Sequence, residues 1–365
     1  MTVQSFLPMA FAALTVQGTN SVATEVPTGW KLDCVGRMQI ALPEVAEVTA
    51  HTAESWMGQA PDRDKTSARF ADGTRAGWQF TIPFKISHKL TSAEMNAAKK
   101  YSELTEEQFA TKAKAYQWDK KSFQSVRTVP MNGVTWSYRN VPGPDAKFDQ
   151  RFLVEIDQHL VEWRGFVPTG EAASLEERAS SLLRGLSSRP THTAPSELGL
   201  CYPYMFVKDD GLAKREVAMT YRLKDHPDIT VTLEDKSAPP HLKNEGTRHR
   251  TAKYASDSHW ARVARTDETF VSLWYDRYQR TKLAGYDGVA SYVEIKRADG
   301  TIDFSYYVSV RGDSEAKEDE PDMTFWITRN SSVAKAKGVQ PYGDEKTFLA
   351  LAKSIAGSVK RRPTR

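Results

Sequence analysis

The chain lacks most of the short patterns that announce catalysis. It has no G-x-S-x-G elbow, no H-E-x-x-H, no G-x-x-x-x-G-K-[ST], no G-x-G-x-x-G and no C-x-x-C. Serine-elbow, zinc-protease, P-loop, dinucleotide and dithiol chemistry therefore have nothing to start from. Charge of one sign is also missing: 50 basic against 46 acidic residues leave +4. That is too little for a nucleic-acid binder, which concentrates Lys and Arg on one face. No later stretch approaches the roughly 20 apolar residues of a membrane-spanning helix. None of the eight histidines stands at ligand spacing from another His or Cys, so neither a metal nor a cofactor is expected.

What is present suits a folded body of two parts. A length of 365 residues, 40% hydrophobic and 26% charged, excludes disorder and buries a substantial core. The organising stretch is 201–233, where Cys201 is followed by a Lys208–Gly211 turn and by apolar and polar residues alternating through 216–223 and 229–233. Alternation of period two punctuated by Asp, Gly and Pro reads as consecutive strands. Residues 34–43 mirror it, again a cysteine followed at once by a short strand. The closing ends agree. Leu175, Ala179, Leu182, Leu183 and Leu186 share one helical face before Arg189-Pro190-Thr191, and Phe348, Ala352, Ile355, Ala356 and Val359 share another, capped by Asp344, before Arg362-Pro363-Thr364. Two domains of similar plan follow, 30–192 and 197–363, with the boundary in the Ser, Thr and Pro-rich segment 188–200.

Inside the first part, 76–82 reads as a strand, and Thr91/Glu94 and Thr105/Gln108 have capping-box form around one or two helices between 92 and 117. Met95, Ala98, Phe109, Ala113 and Tyr116 are their expected buried side. Residues 126–138, with an Asn132-Gly133 turn, and 151–166 read as hairpins. In the second part 269–275, 290–295, 302–310 and 323–328 are strand-like. Neighbouring strands with helices set apart predict an α+β fold, mainly antiparallel sheets with flanking helices.

Residues 1–29 are an export signal or a disordered segment. The apolar run 6–16 has the length of a signal-peptide core and Ser21-Val22-Ala23 resembles a cleavage site, although no Lys or Arg precedes the run. Cys34 and Cys201, each opening a domain, fit one structural disulfide in an oxidising compartment; two buried free thiols fit equally.

Three features invite chemistry. Gly312-Asp313-Ser314 compares with a Gly-Asp-Ser hydrolase block, yet Ser314 runs straight into acidic residues. The acidic loop 313–322 lacks the alternating oxygen spacing of a calcium loop. The basic loop 243–253 is its counterpart in charge, and the two face each other or a partner.

Taken together, 34–43, 201–233, 282–288 and 356–363 resemble the immunity proteins that neutralise type VI secretion lipase effectors of the fourth class. The resemblance implies a periplasmic, non-enzymatic protein without cofactor or integral membrane segment, which binds a cognate phospholipase effector and blocks its access to lipid. Candidate partner contacts are Tyr202 and Tyr204 beside Asp209 and Asp210, and Glu318, Asp319 and Glu320 of the acidic loop. Ordinary sheet packing is the competing reading for the tyrosines. A secreted serine hydrolase using Ser314, or a periplasmic lipid or solute binder, are the alternative functions.

Overall fold

The computed structural model describes residues 26–61, 64–75, 80–115, 129–131, 133–141, 147–168, 171–242, 244–263, 269–272, 275–316 and 318–363. The apolar run 6–16, the 21–23 site and Asn132 lie outside them, as do residues 76–79 and the side chains of Phe109, Ala113 and Tyr116.

The chain begins with the hairpin β1 (Lys31–Val35) and β2 (Met38–Leu42), then β3 (Ala46–Val48), α1 (Ala53–Trp56), β4 (Phe80–Ile82), β5 (Phe84–Lys89) and α2 (Ser92–Ala115). Next come β6 (Val129–Met131), β7 (Val134–Val141), β8 (Lys147–Ile156), β9 (His159–Pro168) and α3 (Ala172–Gly185). Strands β5 to β9 form one antiparallel sheet in the order β5-β9-β8-β7-β6. The capping box at α2 is reciprocal: Thr91 N donates to Glu94 at 2.8 Å and Glu94 N to Thr91 Oγ1 at 3.3 Å. It satisfies helix-end donors that would otherwise be orphaned. Met95 and Ala98 of α2 pack with Trp56, Leu153 and Leu160 on one side of this sheet. On the other side Leu175 and Ala179 of α3 join Phe152 and Trp163, as their helical spacing predicts.

Beyond it lie β10 (Leu186–Ser188), β11 (Gly199–Tyr202), β12 (Met205–Lys208), β13 (Glu216–Leu223), β14 (Ile229–Lys236) and α4 (Glu245–Val263). Then follow β15 (Thr269–Ser272), β16 (Gln279–Leu283), β17 (Tyr286–Lys296), β18 (Ile302–Val310), β19 (Asp322–Arg329), α5 (Ser331–Lys337), α6 (Glu345–Ser358) and β20 (Lys360–Arg361). The larger sheet runs β15-β17-β18-β19-β14-β13-β3, with β16 beside β17 and β4 beside β13.

Alternation sorts that sheet's two faces. Met219, Tyr221, Val231, Leu233, Phe325, Ile327, Tyr306 and Val308 point one way into the main core, where Phe348, Ala352 and Ile355 of α6 meet them. Each such side chain, fully buried, contributes about 1.5–3 kcal/mol. Asp344 caps α6 by accepting from Thr347 N at 2.8 Å. The opposite face carries Thr232, Trp326, Tyr307 and Ser291 in register, and α4 crosses it. Trp260 of α4 donates to Ser291 Oγ at 3.0 Å and clusters with Val293, Ile295, Tyr307 and Trp326.

The α+β, antiparallel reading holds. Strand pairing also crosses residues 188–200: β3 and β4 extend the sheet led by β13, and β20 pairs with β2. Gly36 bridges Cys201, and the disulfide Cys34–Cys201 sits at that bridge. Gly36 has φ +55, and a Cβ there would lie 2.4 Å from Asp235 Oδ2, so the turn admits no side chain.

The repeated Arg-Pro pair has a structural task. Arg189 and Arg362 are both buried. Arg189 donates to Asp33 Oδ1 at 2.5 Å, Thr193 O at 2.8 Å and Tyr202 O at 3.1 Å. Arg362 donates to the carbonyls of Pro195, Glu197 and Gly199. The two guanidinium groups thus hold the 190–202 crossing through its main-chain carbonyls.

Candidate partner-binding surface

Of the expected contact residues, Tyr202, Tyr204, Asp209 and Asp319 are engaged within the molecule, Glu320 faces α4, and Asp210 and Glu318 are exposed. Tyr202 is 1% exposed at the end of β11, its ring 4.9 Å from that of Phe84. Burial pushes its hydroxyl well above the usual range. Tyr204 has φ +59 in the β11–β12 turn; its hydroxyl donates to Val48 O at 3.2 Å and its ring stacks on His159 at 4.5 Å. Both tyrosines do packing work.

The acids are held by arginines. Asp209 accepts from Arg37 at 3.0 Å. Asp319 lies 2.8 Å from Arg215, 3.2 Å from Arg361 and 3.7 Å from Arg37. Arg215 also binds Asp235 at 2.7 Å, and Asp235 accepts from Arg37 N at 2.7 Å. Burial alone would lower the Arg215 pKa, but Asp235 and Asp319 outweigh it and hold the guanidinium above its usual value. This network ties the β1–β2 turn, β14, the acidic loop and β20 into one rigid seam. Asp210 and Glu318 remain exposed. Glu320 and Asp313 face Arg248 of α4 at 3.5 and 2.8 Å, so the acidic and basic stretches do face each other.

The basic stretch is a helix, not a loop. Asn244 Oδ1 accepts from Thr247 N at 2.8 Å, and Ala252, Ala255, Ser256, His259 and Trp260 line the buried side of α4. That i, i+3, i+4, i+7, i+8 spacing is the signal in the sequence that finds it. A cleft of about 400 Å³ opens on one flank of α4, lined by Arg248, His249, Arg280, Tyr286, Asp287 and Glu320 among others. Another of about 500 Å³ opens on the other flank, where Tyr254, His259, Tyr307 and Trp326 contribute walls. Ser314 is exposed on its loop, and among the described residues no side chain is hydrogen bonded to its hydroxyl. Among the described residues no cluster of His, Cys, Asp and Glu is placed to hold a metal, and no helix is long and apolar enough to cross a membrane.

Three histidines lie along β5, His88 and His159 against Tyr204 and His51 against Trp56. His88 lies 3.1 Å from Tyr204 Oη and 2.7 Å from Arg69 O, and His159 lies 2.8 Å from Ser87 O. Burial lowers the pKa of His51, His88 and His159; Lys85 adds to the effect at His51, while the Arg69 and Ser87 carbonyls and Glu47 and Asp157 oppose it at the other two. Each is harder to protonate folded than unfolded. The unfolded chain therefore takes up protons first below about pH 6.5, and stability, full above that pH, declines as pH falls toward the lowered folded values. Urea midpoints measured between pH 7.5 and 5 should fall, and His88→Gln should flatten the slope. A midpoint that is level or rises over this window would contradict the neutral cluster.

Residues 193–364 match the family described as the Tle cognate immunity protein 4 C-terminal domain. Among solved structures, the fold is similar to a chain of the Tle4–Tli4 complex, with a TM-score of 0.57 and 17% identity over 93% of this chain and 99% of that one. It is similar also to the apo immunity protein TplEi of the type VI secretion system of Pseudomonas aeruginosa, at TM-score 0.56 and 17% identity over 93% and 99%. The same protein complexed with an "L" peptide gives 0.52 and 18% over 92% and 99%. At these identities the likeness is one of fold. No curated protein matches the chain.

Proposed function

We propose, from the premise that the second half of this chain is a Tle cognate immunity protein 4 C-terminal domain, that the protein is an immunity protein that binds and inhibits a cognate type VI secretion lipase effector, keeping it from membrane lipid. The observation that carries the reading is the family match over residues 193–364. The shared fold extends it to 93% of the chain, and one of the structures of that fold is of a Tle4–Tli4 complex.

Its action is occupation of the effector's surface, without chemistry of its own. The disulfide and the arginine seam at Asp33, Asp235 and Asp319 fix the parts of the molecule before any partner arrives. A surface ordered in advance forfeits less entropy on binding. A disulfide between two buried cysteines also fits an oxidising compartment such as the periplasm, where a lipase would reach its substrate.

Affinity capture with the full chain from the producing bacterium should recover one dominant lipase, and titration should silence the purified lipase at one equivalent. Capture of no lipase, or loss of inhibition at equimolar protein, would sink the reading. Esterase activity in the chain that vanished on Ser314→Ala would instead favour a serine hydrolase.

A further inference from the structure

The larger sheet has one face filled by the main core and one crossed by α4. The outward stripe of this helix carries Arg250, Lys253, Tyr254 and Asp257, at i, i+3, i+4 and i+7. Residues 275–280 lie alongside. Lys253 and Arg277 each stand 5.6 Å from the Tyr278 ring, Arg277 pairs with Asp257 at 2.9 Å, and the Tyr278 hydroxyl donates to Asp257. Tyr254 is 72% exposed and Tyr275 fully so.

Two properties make this more than a solvated helix. Among the described residues no carboxylate lies within ion-pair distance of Arg250, Lys253 or Arg280, whereas most other cations of the C-terminal half do have one. Exposed tyrosines interleaved with arginines also have the composition of interface hot spots. The clefts flanking α4 make it a ridge between two grooves, one edged by Arg248 and Arg280, the other walled by Tyr254, Tyr307 and Trp326. Grooves of about 400 and 500 Å³ admit side chains from the loops of a folded protein, an apolar or aromatic one in the second and a carboxylate against Arg280 at the edge of the first, whose own Asp287 and Glu320 stand beside it.

We propose that the α4 ridge, with Arg250, Lys253, Tyr254 and Arg280, is the docking site for an acidic, apolar-anchored surface of the lipase effector. The proposal rests on the immunity reading and adds to it the face used and the chemistry of the partner's face. Cations at the rim speed encounter and make it salt-dependent, while the anchored side chain slows release.

The test uses the full chain and the lipase recovered by capture. Arg250→Glu/Lys253→Glu/Arg280→Glu should weaken binding by at least about 30-fold and flatten its salt dependence, with Tyr254→Ala weakening it about 10-fold, mainly through faster dissociation. Arg184→Glu/Lys346→Glu, at exposed positions on α3 and α6, should bind like the parent. All these positions are exposed or half-exposed, and unchanged thermal midpoints would verify folding. Parent-like lipase affinity in both ridge variants overturns the proposal and leaves the immunity reading standing; failure of the parent chain to bind the lipase overturns both. Vesicles of phosphatidylglycerol and phosphatidylethanolamine provide a further arm. Sedimentation with them that the charge reversal abolishes, at undiminished lipase affinity, assigns the ridge to a membrane and also overturns the proposal.

Discussion

Replacing both Cys34 and Cys201 by serine should lower the free energy of unfolding by about 2–5 kcal/mol, a large part of the total for a domain of ordinary stability. The bond joins residues separated by 167 positions, and the loop-entropy relation puts the restraint on the unfolded chain at about 5 kcal/mol. Both cysteines are fully buried, packed with Phe206, so serine brings two hydroxyls into an apolar site and adds to the loss. Urea denaturation with and without reductant measures it: the parent under reductant should lose most of what the variant loses, the hydroxyls of the variant accounting for the rest. The denaturant slope should rise as the unfolded chain expands. Midpoints insensitive to both treatments would show that the bond restrains nothing.

Asp33→Ala should cost about 3–5 kcal/mol, the range for breaking a buried pair by removing one partner. The side chains of Asp33 and Arg189 are 0% and 2% exposed. Asp33 also accepts from Cys34 N at 2.7 Å and His192 N at 3.1 Å, so the change orphans two backbone donors as well. Arg362 lies close enough to Arg189 to feel its charge. Burial first, and the Arg189 charge second, already bring its pKa down to about 10. The double variant Asp33→Ala/Arg189→Met should recover at least half of the deficit in a urea titration, because it removes the stranded cation. No recovery would mean that the main-chain contacts of Asp33 and Arg189 outweigh the stranded charge.

Much of this architecture could be read from the sequence wherever the signal is local. Alternation located β13, β14 and β17 to β19, and capping chemistry located the starts of α2 and α6 at Thr91/Glu94 and Asp344. Polar composition hid α4, whose buried side uses alanine, serine and histidine around one tryptophan and gains from hydroxyl contacts such as Ser256 to Ser291 at 2.7 Å. Strand β3, three residues long, is too short for a period and owes its existence to β13, whereas β4 falls inside the stretch 76–82 that alternation marks as a strand. The surroundings of the candidate contact residues were not legible in the sequence. Asp209 and Asp319 look like solvated acids beside a turn and within a charged loop, but their arginines stand 172 and 104 positions away in sequence. Exposure of a carboxylate is a tertiary property. The ridge residues Arg250 and Lys253 were visible as charge, and only the helix shows which of them point outward.

The pairing of β20 with β2 has a consequence for how the molecule is made. The first hairpin is completed by residues 360–361, and β3 and β4 have no partner strand until β13 exists. The β5–β9 sheet with α2 and α3 can close by itself, whereas β3 and β4 find their partner strand, and β2 its second one, only far along the chain, a long-range closure that slows folding.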